Sequence, residues 1–97
     1  MKHVYIIVYE TYDKMGYETY YRVIDRIKDL TGDWQHPVNN VWFVRSDEEK
    51  DIKEMLDNLR EAAGEKDQLF IMEVGKEMGK DYVGYMPNAM WRWLRSK

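Results

Sequence analysis

Apolar positions change period several times along the chain, and each change marks an element. The run Val4-Tyr5-Ile6-Ile7-Val8-Tyr9 is apolar or aromatic throughout and ends on Glu10. Over residues 3–10 that pattern predicts an interior strand covered on both faces. Val4, Ile6 and Val8 share one face, and Tyr5, Ile7 and Tyr9 the other. Residues 11–17 form a connection that pivots at Gly16. From Glu18 to Thr31 the period becomes helical: Tyr20, Val23, Ile24, Ile27 and Leu30 make one stripe, and Gly32 supplies a left-handed stop.

Asp33-Trp34-Gln35-His36 reads as a short strand and Pro37-Val38-Asn39-Asn40 as a turn. Val41-Trp42-Phe43-Val44-Arg45 is an apolar strand that should pair with the preceding one as a hairpin. Ser46 followed by Asp47, Glu48 and Glu49 has the form of a capping box opening a second helix. Its buried stripe is Ile52, Met55, Leu56, Leu59 and Ala63, its outer face alternates charge, and Gly64 terminates it. Gln68 to Val74 is a fourth strand. Tyr82-Val83-Gly84-Tyr85 reads as a short edge strand, and Pro87 opens a last helix over 87–95 that carries Met90, Trp91, Trp93 and Leu94.

The order strand, helix, strand, strand, helix, strand predicts an α+β, ferredoxin-like β-α-β-β-α-β sandwich with a C-terminal extension of a short strand plus helix. The whole chain, 1–97, is expected to be one domain, with its core in 1–75 and the extension in 76–97. Right-handed crossovers place the first and third strands side by side in the middle of the sheet, and parallel. Two helices cover one face. Tyr5, Ile7, Tyr9, Trp42, Phe70 and Met72 cannot all stay wet, so the C-terminal helix or, more attractively, a second copy of the chain should cover the other.

Composition narrows the functional classes. At 97 residues the chain buries roughly 65% of its unfolded surface, enough for a stable monomer that a dimer interface would help. The absence of cysteine removes disulfides, thiolate nucleophiles and thiolate metal sites. No apolar run is long enough for a membrane span or has a signal peptide's form, so a cytoplasmic protein without membrane attachment is expected. A net charge of −3, from 15 basic and 18 acidic residues, argues against nucleic-acid binding through a broad basic face. A local basic patch is still available in Arg92, Arg95 and Lys97, with Lys76 and Lys80 before them. Four Trp and eight Tyr are many for this length and fit either a thin core or a partner surface.

A family resemblance rests on the tyrosine–acid pair Tyr9-Glu10 closing the first strand and the long helix after it. It extends to the Trp34/His36 strand, the run Val41-Trp42-Phe43-Val44, the Ser-initiated acidic helix, the strand Phe70-Ile71-Met72-Glu73-Val74-Gly75 and the tryptophan-rich final helix. In these the chain resembles the SinR-like family of bacterial and phage proteins over nearly its whole length. It is similar, more distantly, to the CRISPR-associated adaptation endoribonuclease and to VapD-type toxins. The resemblance to the nucleases implies a ferredoxin-like homodimer in which an aspartate ending the first strand of each subunit holds a divalent metal near the dimer axis. Here that position is Glu10, whose extra methylene displaces the carboxylate from where a near-octahedral Mg²⁺ site wants it. The SinR-like relatives supply no activity to carry over.

Candidate chemistry follows from residue types. Glu10 and Asp13 are paired carboxylates able to hold one Mg²⁺ and activate water for phosphodiester cleavage, with Glu10 as the metal ligand. The alternative for Glu10 is an ion pair with Arg45, expected alongside if the first and third strands run parallel. His36 is a candidate general acid or base, and equally a turn histidine held by a hydrogen bond. His3 should face Glu73 across antiparallel strands. Tyr9, Tyr12, Trp34, Arg45, Arg92 and Arg95 are candidate nucleic-acid- or nucleotide-binding residues; Tyr17, Tyr82, Tyr85, Trp91 and Trp93 belong with them as rings able to stack on bases. The alternative is that the tail aromatics pack on the sheet or on a twin subunit.

The leading expectation is a homodimeric nucleic-acid- or nucleotide-associated protein of the CRISPR-adaptation-like superfamily, without efficient catalysis. One alternative is a Mg²⁺-dependent endoribonuclease using Glu10 and Asp13. The other is a protein-interaction module with a phage, defence or toxin role.

Overall fold

The computed structural model describes residues 3–12, 17–75 and 87–95. They form a small α+β structure: strands β1 (His3–Glu10), β2 (Trp34–Val38), β3 (Val41–Ser46) and β4 (Gln68–Glu73), and helices α1 (Tyr17–Thr31), α2 (Ile52–Ala62) and α3 (Asn88–Arg95). The short strand expected at 82–85 lies outside the described residues, as do Asp13, Gly16, Lys76, Lys80 and Lys97.

The four strands make one antiparallel sheet in the order β2-β3-β1-β4. β1 and β3 are neighbours, as expected, but antiparallel rather than parallel, with Val4 opposite Arg45 and Val8 opposite Val41. The helical crossover returns β2 to the sheet pointing along β1, and the hairpin then reverses β3. Adjacent β1 and β3 must therefore run oppositely.

β1 alternates as its sequence requires. Tyr5, Ile7 and Tyr9 are fully buried beneath α1 and α2, together with Trp42, Val44, Val23, Ile24, Ile27, Met55, Leu59 and Ala62. The apolar set expected to share the other face is therefore split: Tyr5, Ile7, Tyr9 and Trp42 line the helix-covered core, while Phe70 and Met72 lie on the opposite face. On that face α3 seats Met90 against Phe43 and Val74, with Val4, Ile6, Val41, Trp93 and Leu94 around them. α3 covers only part of it. Phe70 and Met72 stay exposed.

Two arginines on α1 clip the helices together. Arg22 donates to the Ala62 carbonyl at 3.3 Å, a C-terminal carbonyl of α2 with no partner within the helix, and Arg26 donates to the Asn58 carbonyl at 2.8 Å. Gly32 takes φ 75° and ends α1 as predicted.

Three local expectations are corrected. α2 does not begin at Ser46: Asp51 is its N-cap, accepting from the Lys53 and Glu54 amides at 2.8 and 3.4 Å. Ser46 is instead the last residue of β3, paired with His3, and the Lys50 amide donates to the buried Tyr5 hydroxyl at 2.7 Å. That bond holds the segment before Asp51 out of the helix. Gly64 is not where α2 terminates: the helix stops at Ala62, and Ala63 is its extended C-cap. Pro37 and Val38 belong to β2 rather than to a turn. β2 is an edge strand whose register shifts between Gln35 and Val38, a place where a residue without an N–H is tolerated.

Candidate functional site

The antiparallel register sorts the candidate residues to different ends of the sheet. Glu10 ends β1 opposite Gln68, and Arg45 sits opposite Val4. Six residues of strand separate Glu10 from Arg45 along the sheet, about 20 Å. The expected Glu10–Arg45 pair is therefore absent. Arg45 instead donates to the Asp33 carboxylate at 2.7 Å and to the Trp93 carbonyl, with its guanidinium 4.4 Å from the Trp93 ring centroid. Asp33 also accepts from the Trp93 indole at 2.9 Å. This cluster fastens α3 to the sheet, and the Arg45 side chain is only 11% exposed.

His36 does not join Glu10. It lies on β2, two strands from β1, so about 10 Å of sheet intervenes. Its ring stacks on Trp42 at 3.9 Å, and its Nε2 lies 3.0 Å from the Asn39 carbonyl. Among the described residues the buried Trp42 indole N–H has no acceptor. Trp34 packs against the helix-side core, with the Lys28 ammonium 4.7 Å from its ring. Arg92 and Arg95 are exposed on α3. His3 Nδ1 lies 3.2 Å from Glu73, as expected from β1–β4 pairing.

What gathers at the Glu10 end is a different set. The Tyr9 hydroxyl donates to Asp67 at 2.8 Å, and the Gly64 and Tyr12 amides donate to the same carboxylate at 2.8 and 2.9 Å. Burial alone would raise the Asp67 pKa, but these bonds to its charged form outweigh burial and hold it below the ordinary value. Burial pushes the Tyr9 phenol far above its usual range, and the neighbouring carboxylate adds to that. Asp67 thus ties the α2–β4 turn to the segment leaving β1. It leaves Tyr12 exposed, with the Lys66 ammonium 4.9 Å from its ring. Tyr17 and Tyr21, one turn apart on α1, are exposed as well.

Beside this clasp, on the face that α3 leaves open, Val8, Glu10, Asp67, Gln68, Leu69 and Phe70 line a shallow cleft of about 470 Å³. Sequence reasoning found Glu10, Tyr9 and Tyr12 but missed Asp67, Gln68 and Phe70 as site residues. Gly64-Glu65-Lys66-Asp67 is a turn signal that could have pointed to Asp67. For Gln68 and Phe70 the signal was alternation along β4, which places them on one face but does not say which face is bare.

Among the described residues no three His, Cys, Asp or Glu side chains are grouped to hold a metal ion. Glu10 and Asp67 are the described carboxylates on the cleft, and Asp67 accepts three donors. No helix of the described residues is long and apolar enough to cross a membrane. No family model, curated protein or solved structure matches the chain.

Proposed function

We propose that this chain is a nucleic-acid- or nucleotide-associated binding protein of the CRISPR-adaptation-like superfamily, homodimeric and without efficient catalysis. The observed order of elements and of strands supports assigning it a ferredoxin-like fold, with α3 as the extension. One observation carries the functional reading: Phe70, 59% exposed, stands on the bare part of the sheet face beside Glu10 and Gln68. An aromatic ring on an open sheet face, with polar groups at its margin, is how several single-strand-binding domains stack and orient a base. The exposed rings of Tyr12, Tyr17 and Tyr21 at the same end of β1 add further stacking surface.

Fluorescence anisotropy of labelled single-stranded RNA tests the reading. Wild type should bind, and Phe70→Ala should bind on the order of 10- to 100-fold more weakly with an unchanged circular dichroism spectrum. Wild type that binds neither RNA nor mononucleotides at millimolar concentration would remove the proposal. The same samples, with and without Mg²⁺, can be followed for cleavage. Metal-dependent cleavage lost in Glu10→Ala would favour the ribonuclease alternative.

A second reading has its own support. Phe70 and Met72 form an apolar strip on a chain of net charge −3, and the cations at Arg45, Arg92 and Arg95 belong to other parts of the fold. That combination suits a protein-interaction module.

A further inference from the structure

We infer that two copies of this chain join edge to edge, β4 pairing antiparallel with β4 of the second copy about a two-fold axis at Ile71; this rests on the homodimer proposed above and names its interface. β2 and β4 are the outer strands of the four. Exposed edges are commonly blunted by proline, lysine or an irregular register. β2 has Pro37 and a register shift between Gln35 and Val38. β4, Gln68-Leu69-Phe70-Ile71-Met72-Glu73, has neither proline nor lysine and pairs with β1 in unbroken register. One edge is guarded against pairing and the other is not.

The register shows which main-chain groups β4 offers. The Val74 amide donates to the Val4 carbonyl at 2.8 Å, so these two residues form a hydrogen-bonded pair. Such pairs recur at every second residue of an antiparallel ladder. Phe70 and Met72 therefore turn their N–H and C=O toward Val8 and Ile6 of β1, while Leu69, Ile71 and Glu73 turn theirs outward. Among the described residues no strand lies on that outer side. A second copy satisfies these groups when Ile71 faces the partner's Ile71 and Leu69 faces the partner's Glu73. Phe70 then stands beside the partner's Met72, in the closer kind of cross-strand pair, where a thioether packs well against a ring. Phe70 and Met72 are the exposed large apolar residues of β4, at 59% and 46%. A two-fold at Phe70 would instead set Asp67 against the partner's Glu73, two like charges directly opposed. Centres farther from the middle of β4 shorten the overlap. Edge pairing also keeps the Phe70 face open to a base, whereas packing face to face would bury it.

The chain has no cysteine, so introduced ones report the register alone. In the paired strands the Cα of residue 70 lies about 4.5 Å from that of the partner's Met72, within disulfide reach. Two copies of position 70, or of position 72, lie roughly 8 Å apart, beyond it. An oxidised mixture of Phe70→Cys and Met72→Cys chains should give a crosslinked dimer, and either variant alone should give none. Amide exchange of wild type, read by NMR, should protect Leu69, Ile71 and Glu73 at high concentration and lose that protection on dilution. Phe70 and Met72 should stay protected throughout. Crosslinking by Phe70→Cys alone would overturn the centre at Ile71. Protection of the outward amides at every concentration would mean that the chain itself covers this edge, and would overturn the inference. Wild type that sediments as a dimer with neither crosslink nor outward-amide protection would overturn edge pairing and leave the homodimer standing. Wild type that is monomeric at high concentration would take the homodimer with it.

Discussion

Asp67 accepts from one phenol and two backbone amides, and each donor belongs to a different segment: β1, the chain leaving β1, and the end of α2. Removing the carboxylate leaves the buried Tyr9 hydroxyl without its acceptor. Asp67→Ala should therefore cost about 2–3 kcal/mol in urea denaturation at pH 7. A pH dependence with a defined sign follows from the same pair. The Asp67 pKa is lowered in the folded state, so its contribution is complete above about pH 4, the unfolded value, and fades as pH falls through the folded one. The Tyr9 pKa is raised, so its contribution is complete below about pH 10 and fades as pH rises through the folded value. Urea midpoints from pH 2 to 11 should show both declines. Asp67→Asn should flatten the acid limb and Tyr9→Phe the alkaline one. An unchanged acid limb in Asp67→Asn would mean that other carboxylates govern it.

At the scale of elements, two ends decide how helices attach. The pattern Ser46-x-x-Glu49 recurs five positions later as Asp51-x-x-Glu54, and only the second caps α2. Asp51→Ala should cost about 1 kcal/mol. Ser46→Ala, which removes only a 3.1 Å bond from the Glu48 amide, should cost less than half as much in the same denaturation series. Equal costs would contradict the assignment of the cap. α3 depends on the Asp33–Arg45–Trp93 cluster in addition to its apolar contacts. Arg45→Ala leaves Asp33 without its guanidinium partner and frees the Trp93 backbone carbonyl from it. Hydrogen exchange should then show loss of protection in α3 while β1 and α1 keep theirs. Unchanged protection in α3 would mean that Met90, Trp93 and Leu94 hold it unaided.

For the molecule as a whole, the sheet has one face closed by α1 and α2 and one closed only in part. The bare strip, Phe70 and Met72 with half-buried Val8, is where a second copy or a ligand gains most by excluding water. Met72→Asp should shift the proposed homodimer toward monomer in sedimentation equilibrium. A wild type that is monomeric at high concentration would remove the dimer from the proposal.

The sequence by itself determined that each described element exists, and the bounds of all but α2, which starts five residues after the expected cap, to within a few residues, because burial periodicity is local. The alternation of β1, the stripe of α1 and the glycine at φ 75° each follow from side chains a few positions apart. It also determined that β1 and β3 are neighbours, and it singled out Glu10 and Tyr12. Tertiary structure decided direction and face. A strand with six consecutive apolar or aromatic residues gives no clue to which half meets the helices, so Tyr5, Ile7, Tyr9 and Trp42 went to the core while Phe70 and Met72 stayed outside. The antiparallel run of β3 carried Arg45 away from Glu10 and into the hold on α3. It brought β4, with Asp67, Gln68 and Phe70, to the end of β1 instead. The meetings of β4 with the end of β1 join positions more than fifty residues apart, and only the register of the sheet sets them.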